Sequence, residues 1–126
     1  MFPIIDQERS QFVDRVNPLI SLPVAVEQGL DPEVAKLVAD LSPETPWGDR
    51  QIAARRLGRM RSFEALPGLL DALPSDPFWM VRCAMIQAVE MIGNPGAIPT
   101  LREVVESDPF QVVRSYAAKA IERLAG

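Results

Sequence analysis

The tetrapeptide Ser-Asp-Pro-Phe stands at 75–78 and again at 107–110, and the offset of 32 residues runs far beyond those four positions. Arg50, Arg82 and Arg114 are spaced by 32, as are the pairs Ala65 and Ala97, Pro67 and Pro99, Leu69 and Leu101, and Asp76 and Asp108. Glu44 falls in register with Asp76 one step upstream. The apolar set Val34, Leu37, Val38, Leu41 aligns with Leu66, Leu69, Leu70, Leu73, and then with Ile98, Leu101, Arg102, Val105, where Arg102 departs from the pattern. A period of roughly 20–50 residues signals a stacked-repeat architecture. The chain divides into a leader, residues 1–30, and three copies, 31–62, 63–94 and 95–126.

Each copy reads as two helices. The first half places apolar residues at i, i+3, i+4 and i+7, one face of a 3.6-residue period. The second half does so for longer, through Val81, Ala84, Met85, Ala88, Val89, Ile92 and through Val113, Tyr116, Ala117, Ala120, Ile121, Leu124. Asp31-Pro32, Asp76-Pro77 and Asp108-Pro109 each offer an N-cap acid followed by proline at the first helical position, and Thr45-Pro46 repeats the device. Gly93-Asn94-Pro95-Gly96 marks a turn between copies. One such pair cannot bury its apolar face alone, whereas stacked pairs bury a continuous core. The expected fold is all-α: a short α-solenoid of three helix pairs with an N-terminal helical cap. In the leader, Phe12, Val13, Val16, Leu19 and Ile20 keep helical spacing, with Pro18 ending or kinking that helix.

Composition narrows the chemistry. The chain has 126 residues, no His and one Cys. Histidine is the commonest general base and metal ligand, and its absence leaves Asp, Glu, Lys and Tyr as the available catalytic groups. A lone thiol makes neither an intramolecular disulfide nor a multi-cysteine metal site. No catalytic residue, metal or cofactor is assigned. The net charge of −4 disfavours nucleic acid and anionic membranes. No apolar run reaches the roughly 20 residues of a membrane span, and Met1-Phe2-Pro3-Ile4-Ile5-Asp6 lacks the pattern of a secretion signal, so the expected location is cytoplasmic.

The unit A-I-P-T-L-x5-S-D-P-F-x-V-V-R-x2-A-x2-A, taken from 97–120, resembles the short HEAT-like repeat, in the subclass named after the phycobilisome bilin lyases. The resemblance covers 31–126. It implies a scaffold fold, and for function it implies either a plain interaction module or a bilin lyase-like, phycobilisome-associated subunit. It also implies a ladder in which turn acids pair with helix arginines: Glu44, Asp76 and Asp108 with Arg50, Arg82 and Arg114. If the protein is an enzyme, the resemblance implies a lyase-like subunit that holds an open-chain tetrapyrrole, with Arg55 and Arg59 on its propionates and Trp47 and Trp79 on its rings.

In a solenoid the second helices line the concave surface. Side chains there that the core does not need are Trp47, Gln51, Arg55 and Arg59 in the first copy, and Trp79, Cys83, Gln87 and Met91 in the second. In the third they are Gln111, Ser115, Lys119 and Arg123. Within 50–61, Arg50, Arg55, Arg56, Arg59 and Arg61 stand with no acid among them. Asp49 and Arg56 replace the apolar residues of the other copies, and the run reads either as an acid-binding patch or as a partner for the acid-rich residues 1–49. With repeats about 10 Å apart, the indoles of Trp47 and Trp79 are expected to form a neighbouring pair. Tyr116 reads as core or as end surface, and an open outer face on the last copy invites a second copy of the chain, a homodimer. The leading reading is a scaffold or adaptor that holds a protein partner on its concave face; the alternative is the bilin-handling subunit.

Overall fold

A computed structural model describes residues 30–126. Within them the chain forms helices α1 (Pro32–Ala39), α2 (Trp47–Arg59), α3 (Leu66–Ala72), α4 (Trp79–Ile92), α5 (Ile98–Ser107) and α6 (Gln111–Ala125). Short 3-10 turns at Phe63–Ala65, Leu73–Ser75 and Pro95–Ala97 flank the first helices of the second and third pairs. The architecture is a short all-α solenoid. The expected helical cap over 1–30 lies, but for Leu30, outside the described residues.

The second helices form one layer, α2 against α4 and α4 against α6, and α1 and α5 pack on the second helix of their own pair. The periodic apolar positions supply one continuous core. Leu57, Leu69, Leu73, Val81, Met85, Val89, Leu101 and Val113 are fully buried, joined by Ala53, Ala84, Ala88, Ala117 and Ala120. Small residues on the second helices let the layer close tightly. A Cβ added at Gly58 would sit 2.8 Å from the Ala88 Cα, so α2 and α4 approach here as nearly as backbones can. Tyr116, one of the periodic positions, is 36% exposed and belongs to the surface.

The punctuation works differently from the sequence expectation at three of four helix starts. Asp31 does cap α1, accepting the N–H groups of Glu33 at 2.7 Å and Val34 at 3.4 Å. The caps of α2, α4 and α6 are instead Pro46, Phe78 and Phe110, and none makes a side-chain cap bond. Asp76 and Asp108 stand two residues before these caps and accept the N–H of Phe78 and of Phe110, each at 2.9 Å. They shape the turn, and each carboxylate keeps further lone pairs for a tertiary partner. The turn between the second and third pairs does follow the expected signal. Gly93 takes the left-handed conformation at φ 81°, and Asn94 Oδ1 accepts the Gly96 N–H at 2.7 Å.

Candidate functional site

Each junction between neighbouring pairs is built on one buried ion pair. Arg50 donates from Nε to Asp76 Oδ2 at 2.8 Å and from Nη2 to Oδ1 at 3.2 Å. Arg82 does the same to Asp108, at 2.6 Å and 3.1 Å. The side chains are 4% and 1% exposed in the first pair and 7% and 6% in the second. Such burial is tolerable because each of the three guanidinium nitrogens finds an acceptor. Arg50 Nη1 also donates to the carbonyls of Pro43 and Thr45, and Arg82 Nη1 to that of Asp76. Arg114 repeats the last contact, donating to the Asp108 carbonyl. Glu44 departs from the expected ladder. It is exposed and meets no arginine among the described residues. Asp76 and Asp108 each pair with the arginine 26 residues upstream, and the residue 26 before Glu44 is Pro18.

A ring completes each junction. Phe78 lies beneath the Arg50 guanidinium at 5.8 Å and stacks on Trp47 at 5.7 Å. Phe110 lies beneath Arg82 at 5.7 Å and stacks on Trp79 at 6.1 Å. The expected indole–indole pair is therefore replaced by two indole–phenyl pairs. Each indole bridges to the next pair of helices through the phenylalanine of Ser-Asp-Pro-Phe. Phe78 and Phe110, absent from the sequence-derived candidates, are the last residues of the two repeated tetrapeptides. Trp47 and Trp79 stay 43% and 39% exposed.

The basic run separates into distinct structural roles. Arg50 is buried in the first junction. Arg56 pairs with Glu33 of α1 at 3.1 Å, both exposed, and not with Asp49. Asp49 and Arg56 occupy positions where Val81 and Ala88 are buried between pairs. In the first pair those positions border a groove between α1 and α2, about 590 Å³, together with Ile52, Lys36 and Asp40. Its charges are largely satisfied internally, Lys36 bridging to Asp40 at 3.0 Å. Arg61 sits in the turn after α2.

Arg55 and Arg59 enter a second groove, about 460 Å³, on the second-helix face. Gln87, Glu90, Met91 and Arg123 line it as well, over a floor of Ala84 and Ala88. Glu90 bridges to Arg123, which raises the arginine pKa further through that hydrogen bond and charge. Arg55 and Arg59 make no ion pair or hydrogen bond among the described residues. Four of the expected partner-binding residues, Arg55, Arg59, Gln87 and Met91, thus come together. Glu90 lies outside the periodic apolar positions of α4, and nothing in its sequence context marks it as part of this groove.

The remaining candidates lie elsewhere. Trp47 and Trp79 do not line this groove, so the two arginines and two indoles are not assembled in one cavity. Gln51 is half-buried, while Gln111, Ser115 and Lys119 are exposed. Cys83 contradicts its assignment to the binding face. It is 7% exposed and packs within the core. Burial pushes its thiol pKa up, Arg82 pulls it down, and Asp108 raises it. Among the described residues there is no cluster of three metal-ligating side chains and no helix long and apolar enough to cross a membrane.

A family model described as HEAT repeats matches residues 34–122. No curated protein and no solved structure matches the chain.

Proposed function

Because the chain belongs to the HEAT-repeat family, we propose that it is a protein-interaction scaffold holding a partner protein on the concave face formed by α2, α4 and α6. HEAT repeats commonly serve as protein-interaction scaffolds. The observation that carries the reading is the make-up of that layer. Its inward positions are packed, while Trp47, Trp79, Met91, Arg55 and Arg59 stay exposed along it. Tryptophan and arginine dominate interface hot spots, and methionine adapts to varied partner shapes. The stacked rings and buried ion pairs beneath hold this face rigid, which lowers the entropy lost on binding. A bilin ligand has no comparable support, because the indoles lie outside the arginine groove.

The test is affinity capture with wild type, with Trp79→Ala plus Arg59→Glu, and with a control carrying Glu64→Lys and Glu103→Lys on the first-helix side. The proposal expects proteins recovered by wild type and control to be lost from the first double variant. Equal recovery by all three proteins overturns it.

A further inference from the structure

The groove among α2, α4 and α6 has a charge pattern that selects its occupant. Position by position, the repeat places Arg55, Gln87 and Lys119 in one row and Arg59, Met91 and Arg123 in the next. Cations therefore stand on the two outer helices, and the central helix is neutral in both rows. Glu90 already satisfies Arg123. That leaves Arg55 and Arg59 as two guanidiniums at one wall, neither ion-paired among the described residues.

Two like charges four residues apart on a helix repel each other. The helix dipole offsets this for Arg59, which lies in the last turn of α2, but not for Arg55. Neither side chain is needed for the core, since both are exposed. Their backbone positions are separated by about 6 Å of helix rise, the same rise that separates residues i and i+4 on a facing helix. Between them and the Glu90–Arg123 bridge lies an apolar strip of Ala84, Ala88 and the half-exposed Met91.

We infer that this groove binds an acidic, partly aliphatic segment of a partner protein, its carboxylates on Arg55 and Arg59 and an aliphatic side chain on Met91. The inference rests on the scaffold reading and adds to it the chemistry of the partner. A planar guanidinium can take a carboxylate in a two-bond fork, and the groove already holds one guanidinium–carboxylate contact, the single bond from Arg123 Nη1 to Glu90 Oε2. Nucleic acid fits less well. A phosphate backbone needs a longer track of cations, and stacked bases need aromatic platforms that this groove lacks. The chain's net charge of −4 also opposes a polyanion at long range, while leaving a short acidic segment free to use the local field.

The experiment is fluorescence anisotropy with a labelled amphipathic peptide carrying glutamates four residues apart around leucine. The same peptide with glutamine for glutamate, and a single-stranded RNA, are its comparators. The expected result is binding of the acidic peptide about tenfold tighter than its glutamine counterpart, weakening as salt rises to about 0.5 M. Arg55→Gln plus Arg59→Gln, with circular dichroism to confirm the fold, removes the difference between the two peptides. Equal affinity for both peptides on wild type, no binding of either, or a preference for RNA overturns the acidic-partner inference. The scaffold reading fails separately, through unchanged recovery in the capture experiment.

Discussion

Arg82 carries several N–H donors into a site only 7% exposed, and each contact it makes closes a polar group that burial has cut off from water. Replacing it with alanine strands the Asp108 carboxylate and frees the Asp76 carbonyl of its donor. Arg82→Ala is expected to cost about 3–5 kcal/mol in urea unfolding, the range for removing one partner of a buried pair. Arg82→Met with Asp108→Asn should recover most of that loss, because asparagine still accepts the Phe110 N–H and no charge remains buried. Cys83 makes a pH prediction. Burial raises its pKa above 9.0, so the folded chain keeps the thiol proton where the unfolded chain loses it. That stabilisation is complete below about pH 9 and is lost as pH climbs through the raised value. Cys83→Ala should therefore show a shallower alkaline fall in stability than wild type in parallel unfolding series.

At the scale of the helices, the offset of 32 residues compares one local environment with another. Arg61 and Gly93 are equivalent positions, each just after a second helix, and both take positive φ, at 51° and 81°. Glycine enters that region without strain, whereas arginine pays about 1–2 kcal/mol for its Cβ. Arg61→Gly is expected to raise stability by about 1 kcal/mol, and an unchanged or lower urea midpoint would contradict it. The helix pairs themselves were legible, because the 3.6-residue periodicity of Val34, Leu37, Leu66, Leu69, Leu101 and Val113 reports burial directly. The starts of α2, α4 and α6 were not. Asp-Pro reads as a cap and first helical residue, yet Asp76 and Asp108 are held by an arginine from the preceding pair. A tertiary ion pair outcompetes the local capping role, and no local rule contains that arginine.

Across the whole molecule, an acidic chain carries a locally basic groove, and the contrast exists only once three helices are side by side. In sequence, Arg55, Arg56, Arg59 and Arg61 form one run. Folded, Arg56 turns to Glu33 while Arg55 and Arg59 face the groove with Met91. The offset of 32 residues determined by itself that the chain is a stack of helix pairs, because a repeat too small to bury its own apolar face must bury it on its neighbours. The ladder of arginines and turn acids was implied by the resemblance to HEAT-like repeats, not by the offset, and the structure shows it at Arg50–Asp76 and Arg82–Asp108. The register of that ladder, the indole–phenyl stacks, the burial of Cys83 and the partition of the arginines were decided only by tertiary structure. Each depends on how far one helix pair rotates on the next, a rotation set by Gly58 against Ala88 and by the reach of a guanidinium, not by the order of residues along one helix.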